Sequence, residues 1–148
     1  MSPGEQLYFD DFKLGERFRS PARTLGDAAF LFFAGITGDN HPIHYDEEYA
    51  RRTRFGARVA HGLLVTSMTA VGASPLSHRL EESMVAFVEQ GSRFLRPVLL
   101  GDTVHPEFEV VGLERKGARG LLRLAVRVTN QRGEVVLEGH HAYLIKCR

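Results

Sequence analysis

From residue 84 onward the chain falls into four strand-length runs, roughly Met84–Phe94, Thr103–Leu113, Leu121–Asn130 and Val135–Ile145. This periodicity limits the available folds more than any other feature. In Arg123-Leu124-Ala125-Val126-Arg127-Val128-Thr129 apolar and polar residues alternate, so one face of the strand is buried and the other is more polar, as in antiparallel sheets. Gly117 and Gly133 fall where hairpin turns are needed. Before these runs the signals are helical. A helix is expected to begin near Gly26 or Asp27, with Asp27 accepting from unpaired backbone N–H groups, and to stop at Gly38. A short second helix is expected over residues 46–52, acids first and bases last. The run Val59–Gly72 has no charged face, which predicts a helix buried all round. A strand is expected over residues 16–24. One buried helix followed by long strands implies an α+β fold, a sheet curled around a helix.

The 148 residues suit a single domain over 1–148, with no repeat, linker or low-complexity segment to divide it. No stretch approaches the roughly 18 uncharged apolar residues of a membrane span, and Met1-Ser2-Pro3-Gly4-Glu5 lacks the basic and apolar regions of a signal peptide. Together with the lone Cys147, this gives a cytoplasmic expectation. A formal charge of +1 gives no general case for nucleic acid. The local group Arg51, Arg52, Arg54 and Arg58 has two readings, a phosphate-binding patch or a solvated helix end.

The acid–base groups concentrate in Gly38-Asp39-Asn40-His41-Pro42-Ile43-His44-Tyr45-Asp46. Pro42 forces a bend and biases His41 toward extended backbone. On such a loop Asp39 and His44 can face one pocket as a general acid–base pair. Plain turn chemistry accounts for the same residues, with Asp39 and Asn40 turning the chain and Asp46 capping a helix.

Several separated pieces resemble the MaoC-like, or (R)-specific enoyl-CoA hydratase, family. Gly38–Asp46 is similar to its hydratase signature, Ala50 and Phe55-Gly56 to the continuation, Val59-Ala60-His61-Gly62-Leu63 to the following helix start, and Phe94-Leu95-Arg96-Pro97-Val98 with Gly101-Asp102-Thr103-Val104 to a strand-and-turn segment. The resemblance implies a hot-dog fold, pairing of subunits as a homodimer or dimer of dimers, and a thioester substrate of coenzyme A or acyl carrier protein whose pantetheine is the only cofactor-like group. It places the catalytic pair at Asp39 and His44 and the backbone donor to the thioester carbonyl at Gly62. His41, Pro42, Ile43, His61 and Leu63 become candidate substrate contacts. His41 stands where members usually carry Asn, and Ala70 where some carry a hydroxyl, with Ser67 one turn earlier.

Other readings remain beside this one. A thioesterase would add water at the carbonyl instead of C3, and a noncatalytic acyl-thioester-binding or dimerisation module needs no chemistry. His41, His44 and His61, with Asp39, invite a metal but lack the helical spacing of a zinc motif, so none is expected. His140 and His141 on one strand should face opposite sides. No Gly-rich phosphate loop is present.

Overall fold

The computed structural model describes residues 4–148. Met1–Pro3, on which the expectation of no leader partly rests, lie outside the described residues. In chain order the elements are β1 (Arg17–Arg19), β2 (Arg23–Thr24), α1 (Asp27–Thr37), α2 (Glu47–Arg51), α3 (Gly62–Ser67), β3 (Met84–Phe94), β4 (Thr103–Lys116), β5 (Arg119–Thr129) and β6 (Val135–Lys146), with short 3-10 turns between them. The strands form an antiparallel sheet in the order β1-β4-β5-β6-β3, and β2 also pairs with β4.

The four expected strands are present, and Gly117 and Gly133 take left-handed φ values of 69° and 77° in the hairpin turns. The alternation in β5 is carried through: Leu122, Leu124, Val126 and Val128 are buried while Arg119, Arg123 and Arg127 are exposed. With Phe30, Leu25, Leu137 and Ile145 they form the core. The α+β arrangement read from the sequence, and the hot-dog fold that the resemblance implies, are thus the observed ones.

Three expectations are corrected. The strand over residues 16–24 is two pieces, because Pro21 has no N–H to give the ladder. Asp27 does not cap α1: Gly26 is the N-cap with no side-chain bond, and the Asp27 carboxylate accepts from Arg58. The helix over Val59–Gly72 shrinks to α3, six residues long. Downstream the hydroxyls of Ser67 and Thr69 donate to carbonyls three residues back, at 2.6 Å each, which competes with helix continuation. Nor is α3 buried all round: Leu64 and Val65 face the core, whereas Leu63 is 67% exposed. Among the described residues no helix is long and apolar enough to cross a membrane.

Candidate active site

Gly38 ends α1 in left-handed conformation (φ 75°), its N–H bonded to Ala34 O at 2.7 Å, and so launches the polar segment away from the helix axis. Asp39 Oδ1 accepts the His41 N–H at 3.3 Å. Pro42 opens a single 3-10 turn, Pro42–His44, which brings His44 back toward Asp39. Asp46 then caps α2 by accepting the Tyr49 N–H at 2.9 Å. The turn chemistry is real, and it is what brings Asp39 and His44 together.

A second segment holds the first in place. Residues 58–60 run extended between the polar loop and residues 98–100: Val59 N donates to Ile43 O (3.1 Å), and Ala60 N to Val98 O (2.7 Å). His44 Nδ1 lies 2.6 Å from Val59 O. A carbonyl only accepts, so Nδ1 carries the proton and Nε2 is left with a bare lone pair, a base by tautomer. Arg58 Nε donates to His44 O at 2.6 Å and its Nη2 to Asp27 Oδ1 at 2.7 Å.

Asp39, His44 and His61 each bring one potential ligand atom within 4.8 Å of the others. The His44 and His61 rings are stacked, centroids 3.7 Å apart and 22° from parallel. Lone pairs of imidazole lie in the ring plane, so those of two stacked rings run side by side, and an ion at the roughly 2.0–2.1 Å of a Zn–N bond cannot lie along both. His61 Nε2 is moreover taken by the Tyr45 hydroxyl at 2.5 Å. The trio therefore fits acid–base chemistry better than metal ligation.

The expected substrate contacts separate. His41, Pro42 and Leu63 are exposed and Ile43 is half-buried. His61 is 2% exposed and lies against the His44 ring, with Phe30 and Phe33 beside it. His41 Nδ1 accepts the Ile43 N–H at 3.2 Å. That is the bond to the residue two positions on that an Asn side chain habitually makes, so the ring keeps the turn that Asn would form. Gly62 opens α3, where its N–H has no intrahelical acceptor. It borders a cleft of about 420 Å³ lined also by Arg54, Phe55, Phe94, Leu95 and Arg96, and neither Asp39 nor His44 lines it.

The arginine group divides. Arg58 is 8% exposed and structural, and Arg51 pairs with Glu47 and Glu48 at the solvated end of α2. Arg54 reaches the cleft, its guanidinium 4.7 Å over the Phe55 ring. His140 and His141 do face opposite sides, His140 toward Glu89 and His141 into the core. Sequence reasoning missed Tyr45 and the structural role of Arg58. Tyr45 was visible as the residue after His44, but a one-turn 3-10 segment gives no periodicity from which its direction could be read.

A family model for the MaoC like domain matches residues 11–132. The chain belongs to the MaoC-like family. It is 33% identical over 141 residues to an (R)-specific enoyl-CoA hydratase of Rhodospirillum rubrum, covering 95% of this chain and 93% of the relative. It is 35% identical over 133 residues to a 3-hydroxybutyryl-CoA dehydratase of Methylorubrum extorquens, covering 90% and 80%. A solved structure described as a monoamine oxidase regulatory protein from Archaeoglobus superposes with a TM-score of 0.90 at 33% identity, covering 100% of this chain and 99% of that one. In this MaoC-like chain the segment similar to the family signature is the one that the fold bends into the Asp39–His44 pair.

Proposed function

We propose that this MaoC-like protein is a hydro-lyase that interconverts trans-2-enoyl thioesters and (R)-3-hydroxyacyl thioesters, with Asp39 and His44 sharing one water. The observation that carries the reading is the approach of the exposed Asp39 carboxylate to an imidazole whose Nδ1–H is committed to Val59 O. The carboxylate and Nε2 are then two acceptors, which on this reading take the two protons of a single water. Water oxygen adds at C3, and the proton it loses is balanced by the one delivered to C2. Elimination is the same sequence reversed. Negative charge grows on the thioester oxygen, and the Gly62 N–H is the donor assigned to it. Because α3 has only six residues, the donor itself matters more here than a helix dipole. The curated relatives named for a hydratase and a dehydratase support both directions.

The substrate's pantetheine is the only cofactor-like group in this reading, and the Gly62 cleft with Arg54 at its rim suits its phosphate-bearing arm. Self-association is also proposed. Strand β3 is an edge of the sheet among the described residues, and Phe87, Val88 and Phe94 on it are each about half exposed. Such an edge carrying apolar side chains calls for a covering surface, here a second copy.

The test is purified protein with crotonyl-CoA, following loss of enoyl absorbance. Asp39→Asn and His44→Ala are each expected to lower kcat by about 10²–10⁴-fold. Rates unchanged by both substitutions contradict the site. Release of free coenzyme A without hydration makes the protein a thioesterase, and no reaction across chain lengths favours the binding module.

A further inference from the structure

Tyr45 and His61 lie behind the Asp39–His44 pair, and the direction of their hydrogen bonds can be worked out. The Tyr45 hydroxyl donates to Asp39 O at 2.7 Å. Its single proton is thereby used, so at the 2.5 Å contact His61 Nε2 is the donor and Tyr45 Oη the acceptor. His61 is then the Nε2–H tautomer, and its Nδ1 is a bare lone pair. Nδ1 is buried with no partner among the described residues. A protonated His61 would need an acceptor for a second N–H at that position, and none is there. The ring therefore stays neutral. Burial, and next the neighbouring His44, also lower its pKa. Burial and then the Asp39 charge raise the Tyr45 pKa, which keeps the phenol a donor.

From this geometry we infer that Tyr45 and His61 are positioning residues for the hydratase site: a chain His61 Nε2–H to Tyr45 O–H to Asp39 C=O ties the backbone of one catalytic residue to the ring stacked under the other. Through the chain Asp39 is held by its own carbonyl, while its carboxylate remains exposed for chemistry. Through the stack His44 is held flat over a neutral imidazole 3.7 Å away. When His44 takes a proton during turnover, a neutral aromatic face beneath it attracts the cation, whereas a charged ring would repel it. Phe30 and Phe33 close the other sides of His61, with centroids at 6.0 and 4.6 Å, so the platform cannot tilt away. The inference rests on the hydratase reading for its kinetic consequence but not for its tautomers.

Two measurements separate those levels. In imidazole nitrogen NMR of the folded wild type, His61 is expected as the Nε2–H tautomer and His44 as Nδ1–H, and Tyr45→Phe should keep the Nε2–H tautomer of His61, because Asp39 O, 3.4 Å from Nε2, remains as its acceptor. An Nδ1–H tautomer at His61 in the wild type overturns the inference whether or not the protein hydrates crotonyl-CoA. In kinetics, Tyr45→Phe and His61→Phe, the latter keeping the stack but losing the N–H, are each expected to lower kcat about tenfold with KM within about twofold. Because both cut the same chain, the double variant should also lose about tenfold. Multiplicative losses near a hundredfold, a KM effect instead of a kcat effect, or unchanged kcat refute the positioning role. Thermal melts of each variant identify any that fails to fold. Should Tyr45→Phe do so, the wild-type tautomers alone decide. An inactive wild type with the expected tautomers refutes the hydratase proposal and leaves the hydrogen-bond chain standing.

Discussion

His141 should make the protein lose stability as pH falls, by an amount the structure allows to be worked out. The ring, on β6, is 2% exposed. Thr69 Oγ1 donates to Thr66 O, so at 3.1 Å it accepts from His141 Nε2–H, and the Tyr143 hydroxyl, 2.7 Å away, must then donate to Nδ1. Every polar atom of the neutral ring is satisfied, and a proton on Nδ1 would face an O–H with nowhere buried to turn. Burial, and next His140, push its pKa down to about 4 from 6.5. The unfolded chain therefore binds more protons than the folded one across that interval. The contribution of the neutral ring is fully present above about pH 6.5 and is lost as pH falls toward about 4. The linkage amounts to about 2 kcal/mol by about pH 5 and on the order of 3 kcal/mol by about pH 4. At about 2–4 °C per kcal/mol for a chain of this size, the Tm at about pH 5 should lie roughly 4–8 °C below its neutral value from this group alone. Other groups titrate too, so the assay is the difference in Tm between wild type and His141→Gln, measured by circular dichroism from neutral pH to about 4.5. The variant should start lower and lose less. Parallel Tm curves, or an NMR titration of His141 near its ordinary value, would refute the reasoning.

Arg58→Met should destabilise by about 2–4 kcal/mol, because it orphans the buried His44 carbonyl and removes a charge-assisted bond. It should lower hydration activity as well, and a Tm within a degree of wild type contradicts the role given to Arg58. Gly120→Ala would set a Cβ into the Phe9 ring, itself 8% exposed. A loss of about 1–3 kcal/mol is expected from overpacking, read by urea denaturation, and no shift in midpoint contradicts the contact.

Much of this was legible because long strands state their own period. The alternation read in β5 is the one the fold carries out, and Met84–Phe94 was bounded to the residue although its own burial does not alternate. Helix α3 was overestimated because apolar composition says nothing of the Ser67 and Thr69 hydroxyls folding back onto the chain. At the site, Asp39 and His44 were legible as a pair because Pro42 dictates a bend. The arginine group was not, because the fate of Arg58 depends on Asp27 and on the His44 carbonyl, 31 and 14 residues away. Charge patterning cannot see partners so distant, and Tyr45 stayed unread because its partner His61 is 16 residues off.

The most direct test is where the water goes. Crotonyl-CoA incubated with the protein in oxygen-18 water and analysed by mass spectrometry should give 3-hydroxybutyryl-CoA labelled in the C3 hydroxyl, with the thioester intact, and His44→Ala should lose this incorporation. Label appearing in a free carboxylate alongside released coenzyme A, or no incorporation at C3 by the wild type, would contradict hydration by the Asp39–His44 pair.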